Sequence, residues 1–210
     1  MQIVVSSARQ LSVWSALIAG QVCLHASMAG LRMAAPLSVL RAGGSEASVG
    51  ALLALFALGS VMAALPAGRL SDRHGYHLPV RIAVLLTCAG ALLALLSCFV
   101  SSAAYPLLCT GALLSGAGGN AGLITIQRSA GRSARDLIEL KRVFSWLGIA
   151  PSLSNFIGPL TAGLLIDRLG FGSAFLALAL SPLLSLARAK RGRLSRPLYS
   201  GTLACWASLP

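Results

Sequence analysis

Four ionisable side chains fall within eight positions in Gly68-Arg69-Leu70-Ser71-Asp72-Arg73-His74-Gly75. Asp72 supplies an anion that can sit against the positive N-terminus of a helix. Arg73 presents a planar fork for a carboxylate or a lipid phosphate. Gly75 permits a turn, and Gly68 removes a side chain where two helices approach closely. This chemistry is ionic holding, not bond making. A generic basic loop would account for the arginines, but not for Asp72 or the glycine spacing.

A second group of polar side chains is spread along apolar sequence. Gln21, His25 and Arg32 are separated by steps of four and seven, which keeps them within about 40° of one another on a helix. His25 can exchange a proton near neutral pH, and Arg32 can neutralise an anionic substrate or pair with a carboxylate. The plainer alternative has His25 hydrogen-bonded within a bundle and Arg32 snorkelling to an interface. Asn120 and Gln127 are seven apart and share a face, and Asn155 lies three residues after Ser152. Together Gln21, His25, Arg32, Asn120, Gln127 and Asn155 are the candidate lining of a cleft. Interhelical hydrogen bonding is the competing account of the asparagines and glutamines.

Bond-making chemistry finds no footing. There is no nucleophile–base pair and no cluster with metal-ligand spacing, so neither an enzyme nor a metal site is expected. Of the five cysteines, Cys23, Cys88, Cys98 and Cys109 lie in apolar runs, and with Cys205 they show no redox or metal spacing. No cofactor is expected; a proton gradient is the driving force the residues admit.

The elements that must position these groups follow from composition. The 210 residues are 56% hydrophobic and 10% charged, with a mean hydropathy of +0.81. A soluble domain carries roughly 25% charged residues. Lipid is therefore the expected solvent, with about 20 apolar residues per helical span. The apolar runs are continuous rather than alternating, which excludes a β-barrel. Six spans are expected, at about 13–38, 47–67, 79–100, 103–126, 144–166 and 170–187, with a longer connection from Arg128 to Val143.

The net charge of +12 reads as topological rather than as a nucleic-acid surface. Arg9, then Arg69, Arg73 and Arg81, then Arg128, Arg132, Arg135, Lys141 and Arg142, then Arg188, Lys190, Arg191, Arg193 and Arg196 fall on one side, 14 of the 17 basic residues. Arg41 and Arg168 fall on the other. The positive-inside bias places both termini and the Gly68–Gly75 segment in the cytoplasm of a cell with a multi-pass inner (plasma) membrane protein. Trp14 and Trp146 fall near cytoplasmic span ends, as interfacial anchors do. Residues 1–187 form the bundle. Residues 188–210 read either as a basic, disordered cytoplasmic tail near headgroups or as sequence after a loss of the native frame.

The segment from Gly68 to Gly75 resembles the loop signature between the second and third helices of the major facilitator superfamily. Gly68, Leu70, Asp72, Arg73 and Gly75 match it, while the signature's trailing basic pair is replaced by Tyr76 and His77. Gly158-Pro159-Leu160-Thr161-Ala162-Gly163 is similar to the Gly-Pro-x-x-Gly-Gly element of the family's exporters, with Gly158, Pro159 and Gly163 matching, Ala162 in place of a glycine and Ser154 in place of an upstream one. The arginine that many proton-coupled members carry in the fourth span has no counterpart from Ala103 to Gln127. The resemblance covers residues 10–187 and implies an all-α six-helix bundle, one half of the usual twelve-helix fold. It implies small-molecule transport by alternating access, exporter-like, with the loop signature as a cytoplasmic latch whose aspartate meets a helix of the second half. Two other outcomes are compatible with a six-helix chain: a truncated remnant without transport of its own, or a half-transporter that works as a homodimer. The expected partners are the bilayer, an unidentified small molecule, and either a second copy or the missing second half.

Overall fold

The computed structural model describes residues 2–133 and 137–191, with side chains described for 18–132, 137–138 and 140–184. Among the described residues there are six α-helices and no strand: α1 Gln2–Arg41, α2 Glu46–His74, α3 His77–Leu96, α4 Ala104–Ser133, α5 Leu137–Leu169 and α6 Phe171–Arg191, with one 3₁₀ turn at Ser101–Ala103. Five helices are long and apolar enough to cross a membrane. In α6 the described apolar stretch, Phe171–Leu184, is shorter than the others.

The helices outrun the expected spans because helix propensity does not stop where hydropathy does. The charged Gly68–Gly75 segment is not a loop. Gly68 to His74 form the last two turns of α2, and only Gly75 and Tyr76 separate it from α3. Likewise, most of the expected Arg128–Val143 connection is helix, since α4 runs to Ser133 and α5 starts at Leu137. Ser45 caps α2 by accepting from the Ser48 N–H at 3.2 Å, with Glu46 in the first turn. Helices continue through Pro36, Pro66, Pro151, Pro159 and Pro182, as lipid-embedded helices allow when neighbours satisfy the freed carbonyls. Residues 192–210 lie outside the described residues, as do the side chains of Arg9 and Trp14.

Three pairings set the architecture: α2 and α3 each lie along α4, and α5 lies along α1. They depend on missing side chains. A Cβ on Gly59 of α2 would strike the Leu113 carbonyl of α4, and a Cβ on Gly116 of α4 would strike the Phe56 carbonyl of α2. A Cβ on Gly158 of α5 would strike the Ala26 carbonyl of α1. Small residues let backbones approach where no hydrophobic drive exists between helices in lipid. The remaining space is filled by two apolar clusters. One includes Leu31, Leu52, Phe56, Leu108, Ile166 and Phe175; the other includes Leu24, Val80, Val84, Ile126, Val143 and Leu147. α2 and α5 are the least covered of the spanning helices, and α1 is the most covered.

Replacing Gly116 or Gly59 with valine should force α2 from α4 and destabilise the bundle by about 1–3 kcal/mol, seen as a lower melting temperature in detergent. Gly50→Ala, where a Cβ would meet nothing within 4 Å, should leave the melting temperature unchanged or slightly higher.

Candidate functional site

The end of α2 and the end of α4 meet in an ionic cluster. Arg128 of α4 donates to Asp72 Oδ2 at 2.5 Å and to the Gly68 carbonyl at 3.2 Å. Arg132, one turn later, donates to Asp72 Oδ1 and to the Ser71 carbonyl, the latter at 3.3 Å. Both carboxylate oxygens are thus taken by separate guanidinium groups. The four-residue step from Arg128 to Arg132 puts the two on one face of α4. Gly68 has a specific role here: a Cβ would stand 3.1 Å from the Arg128 guanidinium, which lies over the glycine. Two carbonyls in the last turns of α2, those of Gly68 and Ser71, thus also receive bonds from α4. Gly75 ends the helix at φ 68°, and its N–H donates to the Ser71 carbonyl at 3.1 Å.

This corrects two expectations. Among the described residues Asp72 is held by arginines of α4 rather than by a helix N-terminus. Gly68 makes room for a guanidinium rather than for a helix backbone. Arg128 and Arg132 were legible only as topological charge; their spacing of four at the end of an apolar span was the available signal. Arg73 is exposed and Leu70 half-buried. Tyr76, where the resembling signature has a basic residue, packs against the second apolar cluster. Burial pushes its phenol up to about 12, so the position stays neutral at physiological pH.

The polar stripe of α1 lies between two packed faces. Leu24 and Met28 point at Gly122 and Gly119 of α4. The Val22 carbonyl accepts from Ser154 of α5 at 3.3 Å, and the Ala26 carbonyl abuts Gly158. At 100° per residue, Gln21, His25 and Arg32 fall between the α4-facing and α5-facing sides. Gln21 is 1% exposed, and neither atom of its amide has a partner among the described residues. His25 Nδ1 is also buried without a partner, whereas the Arg32 side chain is exposed. An unpaired buried polar group costs about 1–3 kcal/mol, so the stripe is a place where stability is given up.

The other candidate lining residues are not gathered there. The Asn120 amide donates to the Ser60 carbonyl of α2 at 2.6 Å, so it serves the α2–α4 contact. Gln127 is half-buried farther along α4, and Asn155 is exposed on α5. On α5, Gly158 fits α1, Pro159 is half-buried, and Gly163 faces the Met33 methyl of α1, which a Cβ would meet at 3.3 Å. Cys23, Cys88, Cys98 and Cys109 are free thiols, and no metal-binding group of His, Cys, Asp or Glu is present among the described residues.

A family model for the Major Facilitator Superfamily matches residues 17–198. The chain belongs to the Major Facilitator Superfamily. Members of this superfamily are multi-pass membrane transporters of small molecules rather than enzymes, and the six apolar helices fit one half of that fold. No curated protein matches the chain.

Gln21→Leu should raise the stability of the bundle by about 1–2 kcal/mol, because it removes two unpaired amide atoms from an apolar site. Thermal unfolding in detergent reads this directly. A fall in melting temperature would mean that the amide is satisfied in the membrane.

Proposed function

We propose that this Major Facilitator Superfamily bundle is one wall of a pathway that carries a small molecule out of the cell across the inner membrane by alternating access. The observation that supports it best is the buried, unpartnered Gln21 amide beside His25, on the side of α1 between its α4-facing and α5-facing surfaces. Polar groups retained unpaired within a spanning helix mark substrate or ion pathways. The fit of Gly158 against α1 supports the exporter-like reading. An anionic group on the substrate would find Arg32 at the exposed end of the stripe. His25 is the one histidine away from the helix ends and would serve proton exchange if the proton gradient drives transport.

Alternating access needs two bundles rocking about a shared site. In this reading α2 and α5, the least covered spans, flank the pathway, and a second six-helix unit faces them. The Asp72–Arg128–Arg132 cluster lies on the cytoplasmic side. The excess of arginine at that end supports this orientation.

Alternating access makes a prediction that needs no knowledge of the substrate. With the native cysteines replaced by serine and a single His25→Cys introduced, a membrane-impermeant maleimide should label the thiol from outside in right-side-out vesicles and from inside in inverted ones. Labelling from neither face, or from one face only, would sink the transport reading. Cross-linking in native membranes then identifies the second unit: a covalent dimer of this chain indicates a homodimer, and a heavier adduct indicates another partner.

A further inference from the structure

The α5–α6 turn repeats the α2–α3 turn. Residues 67–75 read Ala-Gly-Arg-Leu-Ser-Asp-Arg-His-Gly, and residues 162–170 read Ala-Gly-Leu-Leu-Ile-Asp-Arg-Leu-Gly. Six of the nine positions are identical, including Asp72 with Asp167, Arg73 with Arg168, and Gly75 with Gly170. The structural match extends further. Residues 69–76 and 164–171 share the same buried, half-buried or exposed character position by position, as do 79–87 and 174–182. Gly75 and Gly170 both end their helices at positive φ, 68° and 84°, and each N–H donates to the carbonyl four residues back, at 3.1 Å and 3.0 Å.

Three helices separate the two copies, so they stand at opposite ends of the bundle. Their ionic partners are exchanged in the same sense. Asp72 ends α2 and pairs with arginines near the end of α4. Asp167 ends α5 and pairs with Arg41, in the last turn of α1, at 3.9 Å. Arg41 also lies 5.4 Å from the centre of the Phe171 ring, a cation–π distance. Each aspartate therefore ties a sparsely covered helix to the helix it lies along, α2 to α4 and α5 to α1.

We propose that Arg41, Asp167 and Phe171 form a second end clamp, the counterpart of the Asp72 cluster at the other end of the bundle. It is the weaker of the two. Asp167 has one arginine at a long distance with its side chain 74% exposed, whereas Asp72 has two arginines that also bond the α2 carbonyls. The Asp167 end is therefore the one at which α5 parts from α1 more readily. This clamp acts within one bundle, so it does not depend on whether the chain transports.

Met33 reports on it, since its methyl lies against Gly163 between α1 and α5. The full chain would carry serine at its native cysteines and a single Met33→Cys, held in nanodiscs where a soluble maleimide reaches both faces. D167N and R41Q should each speed labelling about two- to fivefold, the range an exposed ion pair allows. The charge exchange R41D/D167R should return the rate to that of the parent, and D72N should leave it there. The proposal is overturned if D167N and R41Q label at the parent rate. It is equally overturned if the exchanged pair labels as fast as D167N, or if D72N accelerates labelling to the same degree, because the effect would then be general loosening.

Discussion

Backbone contact between helices is the constraint on which everything else in this bundle rests. Lipid offers no hydrophobic reward for joining apolar helices, so they associate only where their surfaces fit closely. Here the fit is made by glycine against carbonyl: Gly59 and Gly116 between α2 and α4, and Gly158 against Ala26 between α5 and α1. Once those backbones touch, other placements follow. The last turn of α2 is held beside the last two turns of α4, and Asp72 falls within reach of Arg128 and Arg132. The α1 stripe is left between the faces that α1 shares with α4 and α5.

The ionic groups are secondary in energy and primary in placement. The side chains of Asp72, Arg128 and Arg132 are each about half exposed, so water and salt weaken their attraction. Their more durable contribution is to backbone accounting. The Gly68 and Ser71 carbonyls accept from those arginines, so the guanidinium groups that hold Asp72 also tie the α2 backbone to α4. A substitution that kept a positive charge but lost the planar fork, such as lysine, would have fewer donors for this double task.

The number of helices and their approximate positions were legible because hydropathy over twenty residues is a bulk property that no single contact overrides. The ends were not. Gly68–His74 looked like a loop because it is charged, yet charge forbids lipid, not helix, and α2 simply continues past the apolar boundary. The same error shortened α4 and thereby hid the arginines that reach Asp72. Helical spacing did place Gln21 and His25 on one face, since a period of 3.6 is intrinsic to the chain. Asn120 could not be placed that way: its amide reaches the Ser60 carbonyl, and which helix lies beside α4 at that height is a tertiary fact.

The exposed side of α5 argues that this bundle is not surrounded by lipid alone. Ile149, Leu153, Phe156, Leu160 and Leu164 form one exposed apolar ridge, which lipid would solvate without cost. Ser152 and Asn155 are also exposed, but at 100° per residue they fall on the flank between that ridge and the Ser154–Gly158 face that meets α1. An amide turned to hydrocarbon finds no hydrogen-bond partner, so a flank carrying Asn155 is stable only against water or protein. The same requirement applies to the unpaired amide of Gln21. Asn155 lies outside the contact that α5 makes with α1, where water or a second protein surface would satisfy it, whereas the Gln21 amide, buried within the bundle, is satisfied only by water held between the helices.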